Sequence, residues 1–161
     1  MTYDLSWYNI FAGVDPGMSG GIAAIRQGDG QAWAWRYPGD IKLMADLLRE
    51  VCSLGNVEMC TVEKVAAMPK QGVSSTFKFG TNYGAILGML SVLDVPHILI
   101  TPRKWQKEML DAGTGETKER SLNMARRLFP KIDLKYKKDD GKADALHMAR
   151  YALKHYGRDA A

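Results

Sequence analysis

The chain is poor in several features that would settle its class at once. Cysteine is scarce: Cys52 and Cys60 are the only two, without C-x-x-C spacing and without a neighbouring histidine. That argues against a disulfide scaffold and a thiolate zinc site, and both read as reduced thiols in or near a core, in a reducing compartment. No apolar run approaches the roughly 20 residues that cross a bilayer, so no membrane partner is expected. The first eight residues lack the basic start and apolar middle of a secretion signal, which makes the cytoplasm the expected location. Repeats, low-complexity tracts and long linkers are also missing. What remains is ordinary for a globular protein: 161 residues, 46% hydrophobic and 25% charged. This predicts a single domain over 1–161 with a real core.

Charge is modest in sum, +4, but unevenly spread. Residues 1–100 hold seven Lys/Arg against nine Asp/Glu, and residues 101–142 hold twelve against seven. An acidic cluster bordered by a basic segment suits a polyanionic substrate met through metal ions; on charge alone, a solvated basic surface is the favoured reading. Four acids stand out by their settings. Asp15 closes the apolar run 9–15 and is followed at once by the turn Pro16-Gly17-Met18-Ser19-Gly20-Gly21, and Glu63 closes a second run, 57–63. Asp140 and Asp144 lie at i,i+4 at the start of a helical stretch and so share one face. Clustered carboxylates repel unless cations sit among them, and hard oxygen ligands suit Mg²⁺ or Mn²⁺.

Hydrophobic periodicity orders the elements. Residues 9–15, 20–27 and 31–36 read as an antiparallel three-stranded meander, its second turn being Gly28-Asp29-Gly30. A helix over 40–54 follows from Ile41, Leu43, Met44, Leu47, Leu48 and Val51. Strand four is 57–63; Ser74 or Ser75 is placed to cap a helix running to about Leu93. Residues 95–100 form a short fifth strand, Pro102 opens a helix carrying Trp105, and two more helices cover about 116–128 and 140–156. Residues 131–139 are charged and poor in structure signals. The order βββαβαβααα predicts an α/β fold, a mixed five-stranded sheet of meander plus parallel strands flanked by helices, the layout of an RNase H-like domain.

Several motifs in order carry a resemblance. Gly13-Val-Asp15-Pro-Gly17-x-Ser19-Gly20-Gly21 is similar to the opening of RuvC-type Holliday junction resolvases. Val62-Glu63-Lys64 followed by Val73-Ser-Ser-Thr-Phe-Lys-Phe-Gly80 resembles the phage branch of that family. Thr101-Pro102-x-x-Trp105, Gly115-x-x-Lys118 and Asp140-Gly-Lys-Ala-Asp144-Ala-Leu146 continue the match over about residues 9–155. The resemblance implies a homodimeric, metal-dependent endonuclease that nicks two symmetric strands of a four-way DNA junction, in a bacterial host's cytoplasm if the chain is phage-encoded. It implies Asp15, Glu63 and Asp144 as metal ligands, and two Mg²⁺ ions (or Mn²⁺) about 4 Å apart across the scissile phosphate, with Asp15 bridging. The bacterial pattern puts its fourth ligand three residues before the helix Asp, where this chain has Gly141; Asp140 is the substitute and Asp139 the alternative. Lys107 and Lys118 match two family lysines near the DNA and the active site. Bacterial members also carry an aromatic wedge three residues after the strand-four Glu; here that position is Ala66, with Met68 nearby.

Each residue has a plainer reading as well. Asp15 is also a turn-initiating Asp before Pro-Gly, Glu63 also half of an ion pair with Lys64 or Lys70, and Asp140 also a helix N-terminal charge. His147, three residues after Asp144, has two readings, one facing the metals and the favoured one a supporting or packing histidine; His97 reads as a strand residue. Gly80, Gly84 and Gly88 make one smooth helix face, either packed on its own sheet or meeting a partner's helix. Phe77, Phe79 and Tyr83, at helical spacing, read as core. Lys64, Lys70, Lys78, Arg103, Lys104, Lys107, Lys118 and the run Lys135-Tyr-Lys-Lys138 are candidate phosphate contacts. Three rivals stand: the phosphate loop of sugar kinases and actin-like ATPases, which needs two such domains around a nucleotide cofactor, none being expected here; a non-catalytic junction binder; and a nuclease acting on flaps or RNA–DNA hybrids.

Overall fold

The computed structural model describes residues 8–67 and 69–158; Met68 and the first seven residues lie outside the described residues. Strand β1 (Asn9–Asp15) is buried at every interior position, as an apolar run without alternation must be when both faces are covered. It sits third in the order β3-β2-β1-β4-β5. Antiparallel β2 (Gly21–Arg26) and β3 (Ala32–Arg36) complete the meander, and β4 (Asn56–Glu63) and β5 (His97–Ile100) add on in parallel. The predicted mixed five-stranded sheet is the observed one.

Helices cover both faces. On one side α1 (Ile41–Ser53) and α2 (Val73–Val92) bury Met44, Leu48, Val51, Ile86 and Leu90 against Ile10, Ala12 and Val14. On the other lie α3 (Pro102–Met109), α4 (Thr117–Leu128) and α5 (Asp140–Tyr156). Asp40 caps α1, its side chain accepting from Leu43 N at 2.9 Å. Helix α2 begins at Val73 behind Gly72, without a side-chain cap, so neither Ser74 nor Ser75 is the cap; Thr76 N instead donates to Gly72 O at 2.9 Å. Residues 137–139 form a 3-10 turn that periodicity did not signal, stabilised by the Asp139 side chain accepting from Tyr136 N at 2.8 Å.

The fold positions its helix α5 by removing side chains. A Cβ at Gly13 would stand 2.1 Å from Ala145 O and 2.5 Å from Ala149 N; one at Gly141 would stand 2.2 Å from Ser19 O. With Ala143, Ala145 and Ala149 also buried at this contact, α5 rests nearly backbone to backbone on β1 and the turn after it. The glycines of α2 are the opposite case. Nothing lies within 4 Å of a Cβ built on Gly80, Gly84 or Gly88, so packing on their own sheet does not account for them.

Two substitutions separate these kinds of glycine. Gly13→Val is expected to cost more than about 3 kcal/mol, the overpacking range with no flexible neighbour to yield. Gly84→Ala is expected to be neutral or to stabilise the monomer by up to about 1 kcal/mol. Denaturant unfolding of the two variants checks both.

Candidate active site

Parallel pairing puts the carboxyl ends of β1, β4 and β5 at one edge of the sheet. Val14 pairs with Val62 and Glu63 with Ile100, so Asp15 and Glu63 leave adjacent strands side by side. The contact at Gly141 sets the start of α5 over this edge. The result is a cavity of about 470 Å³ lined by Asp15, Glu63, Asp140 and Asp144 together with Lys118, Gln106 and Phe79. The four predicted acids thus face one space, with one predicted lysine.

Each carboxylate is held by one donor through one oxygen. Asp15 Oδ1 accepts from Gly17 N at 3.0 Å, Glu63 Oε2 from Trp105 Nε1 at 2.8 Å, and Asp144 Oδ1 from the Ser121 hydroxyl. Asp140 Oδ2 pairs with Lys118 Nζ at 3.0 Å. Among the described residues, no other hydrogen bond engages the second oxygen of any of the four. The turn reading of Asp15 and its place in the cavity therefore coexist, and so do the helix-start position of Asp140 and its place there. Glu63 makes no ion pair with Lys64 or Lys70 among the described residues. Asp139 is used elsewhere. Only 1% exposed, it binds Arg36, Lys142 (3.1 Å) and Tyr136 N, which removes it as the fourth cavity carboxylate. Gly141 cannot be exchanged for a ligand either, because any side chain there meets the backbone of Ser19 and Gly20.

Burial, and then repulsion from neighbouring acids, raises Asp15, Glu63 and Asp144. Glu63 is pushed up to about 7, chiefly by desolvation, with Asp15 adding repulsion and Trp105 opposing. Asp144 also rises to about 7, by desolvation and then by the charges of Asp15, Glu63 and Asp140, against the Ser121 bond. Desolvation raises Asp15 too, partly offset by Gly17 N–H and Lys118. Lys118 is held charged by Asp140, with smaller pulls from Asp144 and Asp15. Such a site gains free energy from any added cation. Its donors are all carboxylate oxygens, the hard set that Mg²⁺ or Mn²⁺ takes, and each has an oxygen to give. Among the described residues no three such groups already close on one point.

A layer beneath the acids was not foreseen as such. Trp105 is fully buried and Ser121 is buried; their polar atoms hold Glu63 and Asp144. His147, fully buried, is a supporting residue, bonded to Ser121 O at 2.9 Å and to Arg150 at 3.0 Å. Burial, then the Arg150 charge, lowers it to about 4, so its ring is neutral. His97 sits in β5 with Nδ1 bonded to Val95 O. The core reading of the α2 aromatics needs correction. Only Tyr83 packs on the core; Phe77 is 75% exposed and Phe79 lines the cavity. Burial on α2 starts only at Asn82, so its first turns project beyond the layer that would cover them. Asn82 donates to Pro16 O at 2.7 Å and ties α2 to the turn after Asp15.

Of the seven single basic residues predicted to contact DNA, only Lys118 lines the cavity. Lys64, Lys70, Lys78, Arg103, Lys104 and Lys107 are exposed on the loop after β4, on α2 and on α3, and the run 135–138 is exposed beside the 3-10 turn. Ala66 is exposed on the same loop as Lys64 and Lys70. Both cysteines are free thiols, and no helix among the described residues is long and apolar enough to cross a membrane.

No family model matches the chain, and no curated protein matches it. Solved structures do. A Thermus thermophilus RuvC in complex with a Holliday junction substrate superposes with a TM-score of 0.61 at 21% identity, covering 91% of this chain and 96% of that one. A second Thermus thermophilus RuvC structure gives 0.57 at 21% identity, covering 91% and 97%. Over nine-tenths of its length the chain has the fold of the RuvC Holliday junction resolvases.

Proposed function

We propose that the protein is a divalent-metal-dependent endonuclease that resolves four-way DNA junctions by paired symmetric nicks. The observation that carries this reading is the convergence of Asp15, Glu63, Asp140 and Asp144 on one cavity, in a fold shared with a RuvC solved on a Holliday junction. Divalent cations held by such carboxylates supply the positive charge that polarises a phosphodiester and acidifies water. The chain's own residues do the rest. Asp15, on the strand between β2 and β4, would hold a cation together with Glu63, Asp140 and Asp144. Glu63 and Asp144 are kept in place by the neutral donors Trp105 and Ser121, so neither loses charge to its anchor. Lys118, 75% exposed at the rim, reaches a phosphate oxygen while staying paired with Asp140. The exposed Lys64, Lys70, Lys78, Arg103, Lys104 and Lys107 supply phosphate contacts beyond the cavity.

A substrate with two-fold symmetry favours a two-fold enzyme. The open face of Gly80, Gly84 and Gly88, beside exposed Val73, Phe77 and Val92 on the same helix, is assigned to the partner's α2. Gly84→Gln should leave the fold intact and shift the protein to monomer in sedimentation; an unshifted dimer would place the interface elsewhere.

The cleavage test uses an immobile, end-labelled four-way junction with Mg²⁺, beside flap, RNA–DNA hybrid and duplex controls. Paired symmetric nicks on the junction are expected, and Asp144→Asn should lower their rate at least about a hundredfold while binding persists. Binding without cutting in Mg²⁺ or Mn²⁺ would leave a junction-binding protein instead.

The raised acids also predict a pH response of stability. In metal-free protein Glu63 and Asp144 hold protons up to about 7, whereas unfolded carboxyls release them near 4. Between those values the folded state binds more protons, so stability falls as pH rises. Melting temperature should drop by at least roughly 4 °C from pH 5 to pH 8. Mg²⁺ should restore it at pH 8, and Asp144→Asn should flatten the slope.

A further inference from the structure

Beneath the carboxylates lies a connection that the acids themselves do not require. Arg150 Nη1 can only donate, and it stands 3.0 Å from His147 Nδ1; the Ser121 carbonyl can only accept, and it stands 2.9 Å from His147 Nε2. These partners leave one tautomer, with Nδ1 accepting and Nε2–H donating. Arg150 Nη1 is itself steadied by Met109 O at 3.2 Å, at the end of α3. The imidazole lies within 17° of parallel to the Trp105 indole, with 6.2 Å between ring centres. Trp105 holds Glu63 from α3, and Ser121 holds Asp144 from α4. One fully buried ring on α5 therefore touches the anchors of two carboxylates that come from different elements.

We propose that His147, oriented by Arg150, is a positioning residue that fixes the spacing of Glu63 and Asp144 through Trp105 and Ser121, and thereby sets the affinity of the site for divalent cations. Its consequence for metal rests on the nuclease reading; its structural half does not. The imidazole adds no charge to the acid cluster and offers the flat face and the single donor that the two anchors need. Glutamine, whose planar amide carries both N–H donor and carbonyl acceptor, can replace both hydrogen bonds and offer the indole a flat face; leucine supplies none of these.

The test uses the full chain as wild type, His147→Leu and His147→Gln, with two readouts. In metal-free protein, NMR follows solvent exchange of the Trp105 indole Nε1–H against the amides of Ile10 and Ile22 as an internal reference. Exchange relative to that reference should quicken at least about tenfold in the leucine variant and stay within about threefold in the glutamine variant. Electron paramagnetic resonance of unbound Mn²⁺ then gives the half-saturating concentration, which should rise at least about tenfold for leucine and recover for glutamine. General destabilisation would quicken the reference amides equally. Unchanged indole exchange overturns the positioning role; a loosened indole with unchanged Mn²⁺ half-saturation overturns its effect on the metal. If the wild type takes up no Mn²⁺, the nuclease reading falls and the indole exchange alone decides the positioning role. Should the leucine variant not fold, Arg150→Met, which keeps the ring but removes the donor to Nδ1, is judged by the same criteria.

Discussion

Everything at the candidate site depends on how closely α5 can approach β1. Helices on sheets ordinarily stand off by the length of a side chain; here Gly13 and Gly141 let backbone meet backbone. That close approach brings the first two turns of α5, with Asp140 and Asp144, over the carboxyl edge that carries Asp15 and Glu63. A methyl group at either glycine would lift the helix and separate the pairs. The small residues of α5 are therefore as much a part of the site as its acids, although they touch none of the chemistry.

The closeness has an electrostatic cost. Burial raises the proton affinity of Asp15, Glu63 and Asp144, and the neighbouring acidic charges raise it further. The protein does not neutralise them with a full complement of basic residues. Among the described residues one ammonium, Lys118, pairs with the set at the exposed rim, and neutral donors from Gly17, Trp105 and Ser121 hold the half-buried acids. Neutral donors fix an oxygen without cancelling its charge. A site anchored this way keeps its attraction for an external cation, which salt bridges would have spent. Asp139 shows the contrast one residue from Asp140: paired with Arg36 and Lys142, it is a structural acid.

The elements were legible where an apolar run or period met a stop signal. Strands β1 and β4 read as apolar runs ending in an acid, and α1 as a helix from its apolar spacing. The three-layer arrangement followed from their order. Less legible was whatever depended on contacts between distant segments. The 3-10 turn at 137–139 is made by a side chain bonding three residues back, and the cap of α2 is a glycine where serines invited the assignment. Phe77 and Phe79 carry a core-like spacing, but periodicity cannot tell where a helix overhangs the layer beneath it. Trp105 and Ser121 were visible only as an aromatic in a motif and an unremarked helix residue, since nothing local announces a bond to an acid 42 or 23 positions away.

The shift from position 141 to 140 shows why spacing is a weaker guide than geometry. Three residues before Asp144, a side chain would have to occupy the space already filled by Ser19 and Gly20. Moving the acid one residue earlier turns it by about 100° round the helix, and i,i+4 still leaves it on the face of Asp144. The turn after β1 can then press directly on the helix, and Lys118 gains an oxygen to pair with. Close backbone packing and an acid facing the cavity fall on the same turn of helix, and Asp140-Gly141 accommodates both. Counted by spacing alone, this turn of helix carries no acid at position 141; counted by which side chains line the cavity, Asp140 joins Asp15, Glu63 and Asp144.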